Sequence, residues 1–173
     1  MSAPPRALSQ QASRSAADRA PRWAPAVTLP LAVIGLALSV YLTYVHYVEP
    51  RALSCPDTGA INCTKVTTSP QSMLFGFLPV ALAGSLYFVA MVALTLPAAW
   101  RAQRPVVGHL RLAGAVAGIG MVCYLVYVEA VQVHALCLYC TGVHVVTFLL
   151  FVAVLSAWVF RPVQDLDSAN LRR

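Results

Sequence analysis

The stretch His134-Ala135-Leu136-Cys137-Leu138-Tyr139-Cys140-Thr141 carries a Cys-x-x-Cys pair where a short polar link meets a long apolar run. In a helix beginning near Leu136, residues three apart share a face, so Cys137 and Cys140 can meet as a dithiol or close as a disulfide. The partial positive charge of a helix start favours thiolate, the form that attacks disulfides. Cys140 lies one turn deeper than Cys137. One sulfur is therefore expected to face an aqueous partner and the other something dissolved in lipid. A second pair, Cys55 and Cys63, brackets the segment Pro56-Asp57-Thr58-Gly59, whose turn chemistry can fold the chain back and bring the two together. Taken alone, that pair reads as a structural staple.

The elements that position these sulfurs are apolar. The chain has 173 residues, of which 59% are hydrophobic and only 10% charged, too greasy a composition for an ordinary soluble domain. A helix crossing ~30 Å of hydrocarbon needs about 20 mostly apolar residues. Four stretches qualify: Ala26 to Val48, Ser72 to Leu96, Leu110 to Val133 and Leu138 to Phe160. The expected fold is an all-α membrane protein, a four-transmembrane-helix bundle spanning residues 26–160. Residues 1–25 are expected to form a disordered tail, and 161–173 a second tail. The first apolar run starts too late and is too long for a cleavable signal peptide.

The net charge of +6 could suggest nucleic acid, but its distribution argues for membrane topology instead. Arg6, Arg14, Arg19 and Arg22 precede the first span, Arg101, Arg104 and Arg111 lie between or at the ends of the second and third, and Arg161, Arg172 and Arg173 follow the fourth. By the positive-inside rule these segments are cytoplasmic, so both termini are expected inside. In the Ser54 to Gln71 loop Asp57 and Lys65 cancel, and the His134 link has no Lys or Arg. That places Cys55, Cys63, Cys137 and Cys140 together on the extracytoplasmic side, where disulfides persist and dithiol exchange is ordinary chemistry.

Other residues refine this picture. Pro30 is expected in the opening turn of the first span, where a missing N–H costs little. His46 reads as an interfacial helix residue and Cys123 as an inert small apolar residue within the third span. Gly76 and Pro79 imply a bent start to the second span, tolerated at membrane depth only where it packs on protein or lines a cavity. Gly114, Gly118 and Gly120 form a small-residue face for close helix contact. Glu129 lies within the apolar run, where an ionisable group faces the bundle interior or water; proton handling near the dithiol and a snorkelled interfacial carboxylate are its two readings. His144, four residues after Cys140, shares its face and can serve a ligand carbonyl, pass a proton or bond a neighbouring helix.

Two chemistries compete for four cysteines on one side. Zinc sites usually pair ligands two to four residues apart, which Cys137 and Cys140 satisfy and Cys55 and Cys63 do not. A membrane metal-binding or scaffold protein with structural cysteines is thus the alternative of another class. The redox reading uses every feature: a loop pair exchanging with soluble proteins, a helix pair receiving its electrons, and an oxidising acceptor that lives in the bilayer, which points to a quinone. No dinucleotide fingerprint or phosphate-binding loop is present to supply a nicotinamide or nucleotide instead.

The order of these elements resembles the vitamin K epoxide reductase family. Cys55 and Cys63 lie in the first outer loop, followed by Ser69, Phe75-Gly76-x-x-Pro79 at the start of the second span, and Cys137-x-x-Cys140 opening the fourth. The resemblance covers roughly Ala26 to Phe160, and its order of pairs is the reverse of that in the functionally analogous DsbB family. It implies that Cys137 and Cys140 are the redox centre, with Cys140 nearest the quinone. Cys63 would exchange with Cys137 and Cys55 with the outside partner, while Ser69 would sit beside the quinone. His144 stands where vertebrate members carry a tyrosine. The implied function is a quinone-linked thiol oxidase, using menaquinone or ubiquinone, that reoxidises a separate exported thioredoxin-fold (DsbA-like) protein for disulfide formation in secreted proteins. Reduction of a quinone or of vitamin K epoxide is the neighbouring alternative.

Overall fold

The computed structural model describes residues 21, 23–48, 53, 55, 58, 60–74, 76–102 and 104–160. Nearly all of the two expected tails, with Phe75, Asp57 and the seven arginines at positions 6, 14, 19, 22, 161, 172 and 173 and their neighbours, falls outside them. Helix α1 is Trp23–Val48. After the cysteine loop come a short helix α2, Cys63–Thr67, and a 3-10 turn, Pro70–Ser72. A two-stranded hairpin follows, β1 Met73–Leu74 and β2 Leu78–Pro79, leading into α3, Val80–Thr95, and α4, Pro97–Arg101. Helix α5, Pro105–Tyr127, runs on as a π-helix over Val128–Val133, and α6 is Leu138–Val159.

Three of these, α1, α5 with its π turn, and α6, are long and apolar enough to cross a membrane. Helix α3 is the exception. Its 16 residues reach about 24 Å at ~1.5 Å per residue, short of the hydrocarbon thickness. The expected second span from Ser72 is therefore not one helix: its first eight residues end the 3-10 turn and form the hairpin, with Met73 opposite Pro79 and Leu74 opposite Leu78. Gly76 turns the hairpin at φ 78°, a conformation open to glycine without a Cβ penalty.

Helix α1 shows why these sequences make a bundle in lipid. Its buried positions are Ala24, Thr28, Ala32, Gly35, Ser39, Leu42 and Val45, a helical stripe of mostly small residues, while Val33, Ile34 and Val40 point outward. Small residues let backbones approach where apolar burial alone offers no advantage over lipid. Gly35 is the closest case, since a Cβ there would collide with the Phe88 ring of α3. Thr43 and Ser85 join the same two helices by a 3.1 Å hydrogen bond. Helix α1 packs on both α3 and α6, and α6 on α5, so α3 and α5 form the loosest seam of the ring.

Tyr41, Tyr44, Tyr47, Tyr124 and Tyr127 are exposed at the cysteine-bearing end, and Trp23 at the other. From Trp23 to Tyr44 the helix rises roughly 32 Å, so the aromatics lie at the two levels expected of membrane interfaces. This is a membrane protein.

Several local expectations change. Helix α1 begins at Trp23, so Pro30 lies inside it and leaves the Ala26 carbonyl without its usual helical donor. Arg111 is not a free interfacial charge. It is buried, donates to the Leu94 carbonyl at 2.8 and 2.9 Å, and stacks 3.4 Å from the Trp100 ring centroid, closing the end of α3. Gly114 and Gly118 do face α3, through Met91 and Tyr87, but Gly120 meets nothing within 4 Å.

Gly35→Ala should destabilise the protein by about 1–3 kcal/mol, the usual cost of overfilling a packed contact. Adding Phe88→Leu should restore part of that loss, as read from thermal unfolding in detergent.

Candidate functional site

Cys137 begins α6 as its N-cap. It holds extended backbone angles, φ −107° and ψ 117°, and its Sγ accepts the Cys140 N–H at 3.3 Å. Helix caps are ordinarily hydroxyl or carboxylate oxygens satisfying an orphan N–H, and here a sulfur does that work. Thr141 anchors the same corner by donating both its N–H (2.8 Å) and its hydroxyl (2.9 Å) to the Cys137 carbonyl. The helix starts at Leu138, where the fourth apolar run is expected to begin, and Leu136 is engaged elsewhere.

Leu136 is bridged to Ile61 of the first loop. The Asn62 N–H donates to the Leu136 carbonyl at 3.1 Å, and the Leu136 N–H to the Ala60 carbonyl at 2.9 Å. One residue beyond this strap on one strand is Cys137, and two residues beyond it on the other is Cys63. Cys63 opens α2, where the Asn62 side chain caps the helix by accepting the Lys65 N–H at 2.8 Å. Cys63 is bonded to Cys55 in a disulfide, their Cα atoms 6.0 Å apart, while Cys137 and Cys140 are free thiols.

All four cysteines belong to one apolar cluster: Cys63 and Cys137 are buried in it with Leu42, Val45 and Leu53, and Cys55 and Cys140 pack against it. This corrects one sequence expectation. Cys137 does not face water; it is 0% exposed, because the strap folds the loop over the helix start. Its near neighbour across the cluster is the loop disulfide. The Cys137 pKa is lowered, first by the hydrogen bond from the Cys140 thiol and then by backbone N–H groups at the helix start, against the opposing effect of burial.

Cys140 faces the other way, into a cavity of about 300 Å³ between α1, α3, α5 and α6, roofed by Val66 to Leu74. Ser69, Glu129 and His144 line this cavity together with Cys140, and His46 stands at its rim. Glu129 is brought inward by the π turn, an irregularity often found at functional sites. Its side chain is buried and lines the cavity together with Cys140. The Ser69 hydroxyl donates to the Val66 carbonyl at 2.8 Å, so in this arrangement its oxygen is left to accept. Cys123 is exposed on the lipid side of α5 and is not a cavity residue.

Sequence reasoning passed over Tyr87. It lies on α3 with its ring edge-on to Phe88 and its hydroxyl against Gly118. That hydroxyl is buried without a hydrogen-bond partner among the described residues, a condition that costs about 1–3 kcal/mol. The only signal in the sequence was a tyrosine in the middle of an apolar run.

The geometry supplies two sulfur pairs in one cluster, one of them oxidised and strapped over the other, with the second pair also reaching a mostly apolar chamber. A bundle of membrane helices built this way is a membrane thiol–disulfide oxidoreductase. The chain belongs to the vitamin K epoxide reductase family, whose sequence pattern matches residues 26–155. Members of that family use quinones in general. No curated protein matches the chain at a significant level.

Because the Cys140 thiol is the largest acidifying influence on Cys137, Cys140→Ala should raise the Cys137 pKa. In ultraviolet thiolate titrations of the reduced protein, the Cys137 signal should persist to lower pH with Cys140 present and move to higher pH in the variant.

Proposed function

We propose that the protein is a quinone-linked thiol oxidase that reoxidises an exported thioredoxin-fold, DsbA-like protein. The observation that carries this reading is that the two sulfurs of one motif face different compartments of the fold: Cys137 lies in the cluster with the loop disulfide, and Cys140 lines the apolar cavity. In the proposed membrane arrangement there are four crossings and both termini are cytoplasmic. The hairpin Met73–Pro79 completes the second crossing that α3 is too short to make alone. The strapped loop and the start of α6 then lie on the extracytoplasmic side, in accord with the placement of the described Arg101 and Arg104 at the opposite end.

The partner's dithiol reduces the loop disulfide through Cys55, the less buried member of the pair; Cys63 is 1% exposed. In the next exchange Cys63 thiolate attacks Cys137 of an oxidised Cys137–Cys140 pair. Cys140 leaves as thiolate, and Cys55 then resolves the Cys63–Cys137 mixed disulfide. The result is an oxidised loop and a reduced helix pair, which is the state of the structure described above. Closing Cys137 and Cys140 to a disulfide again releases two electrons and two protons.

The cavity suits a quinone head group, being concave, largely apolar and provided with a few polar side chains. A bound quinone, menaquinone or ubiquinone, supplies an acceptor for those two electrons and two protons. Glu129, which lines the cavity with Cys140, takes the Cys140 thiol proton and holds it at the carboxylate for delivery to a ligand oxygen. His144, one turn below Cys140, and Ser69, in the roof, orient the head group.

Cys137→Ala and Cys140→Ala should each abolish quinone-dependent oxidation of a partner dithiol while the protein still inserts in the membrane. Undiminished turnover in either one would remove the assignment. Cys63→Ser should lose oxidation of the protein partner yet retain quinone reduction with dithiothreitol. Glu129→Gln should slow quinone reduction by about 10²-fold, the lower end of what a positioned acid–base group contributes. In cells, Cys63→Ala is expected to trap a mixed disulfide on Cys55 whose attached protein identifies the partner.

A further inference from the structure

The cavity extends past the groups already given roles. Thr147, seven residues after Cys140 on α6, also lines it, as do Gly118 of α5 and Tyr87 of α3. Seven helical residues rise roughly 10 Å, so this floor is well separated from the reactive sulfur. At Gly118 a Cβ would collide with the Tyr87 hydroxyl and ring, and would come within 3.1 Å of the Thr147 methyl. The three helices therefore converge on the tyrosine's polar end, and the absence of a side chain at Gly118 makes its place.

What the fold does not provide is a partner. The Tyr87 hydroxyl is buried and makes no hydrogen bond among the described residues. Thr147, another polar side chain in this floor, donates its hydroxyl to the Val143 carbonyl at 2.8 Å, and its oxygen is not bonded to Tyr87. Phenylalanine would fill the same volume without burying an unmatched O–H. A buried donor left unmatched beside a cavity calls for a partner that arrives from outside the chain.

We propose that Tyr87 is a ligand-binding residue: its hydroxyl donates a hydrogen bond to the head-group oxygen most distant from Cys140. This rests on the reading of the cavity as a quinone site. Tyr87 lines the chamber, so a ligand seated there lies beside its ring. The ligand is then held at two ends, by the polar groups around Cys140 and by Tyr87 at the floor, which fixes how deep the ring sits relative to the sulfur.

The test compares the full-length protein with Tyr87→Phe, using menadione and a short-chain ubiquinone as probes and dithiothreitol as reductant. The wild type is measured first: if it neither binds nor reduces either quinone, the quinone reading itself fails and this inference goes with it. Given an active wild type, Tyr87→Phe should raise the quinone KM roughly three- to tenfold with little change in kcat, the effect of one hydrogen bond. It should also shrink the rise in melting temperature caused by bound quinone, while the ligand-free variant melts no lower than the wild type. An unchanged KM overturns the role of Tyr87 and leaves the quinone reading standing. A ligand-free variant that melts lower also overturns it, because the hydroxyl would then be serving the fold.

Discussion

Two backbone hydrogen bonds, from Asn62 to Leu136 and from Leu136 to Ala60, hold the cysteine loop on the start of α6. Such bonds contribute only about 0.5–1.5 kcal/mol each in net terms, so they do not account for the stability of this end of the protein. Leu42, Val45 and Leu53 supply the apolar contact. The strap supplies register: it sets Cys63 and Cys137 within one or two residues of the same bridge, so both sulfurs enter one cluster. A loop free to slide would leave the two pairs on the same side of the bundle without bringing them together.

The same end of the molecule contains two irregular backbone segments, the hairpin at Met73–Pro79 and the π turn at Val128–Val133. Irregular backbone at membrane depth survives only against protein or a cavity, and here both segments border one chamber, through Leu74 on one side and Glu129 and Val133 on the other. The chamber occupies the seam between α3 and α5, the least tightly packed pair in the ring. At the opposite end Arg111 closes on the Leu94 carbonyl and the Trp100 face, giving the bundle a fixed base below its open seam.

A helix N-cap is an economical place for a redox motif. The cap position turns Cys137 back across the helix start toward the loop, while Cys140, inside the first turn, is carried round to the cavity. The two residues remain close enough for the Cys140 N–H to bond the Cys137 sulfur, yet the surroundings of their sulfurs differ. In the proposed reaction this difference gives the electron path its direction. The floor residues Tyr87 and Gly118 extend the same asymmetry down the cavity wall.

Much of this was legible in the chain itself. Apolar runs of adequate length identified the membrane class, and the spacing of Cys137 and Cys140 at a helix start identified thiol chemistry, because both signals depend only on neighbours in sequence. The ordered set of Cys55, Cys63, Ser69 and the Cys-x-x-Cys pair was enough to identify the family. The breaking of the second span into hairpin and short helix was only hinted at by Gly76 and Pro79. Burial of Cys137, the strap at Leu136, the inward turn of Glu129 and the unmatched hydroxyl of Tyr87 had no such local signature. Each depends on which distant segment lies opposite, and a sequence read along one chain carries no record of what packs across from a residue. Tertiary packing alone decided that one sulfur would meet the loop and the other the cavity.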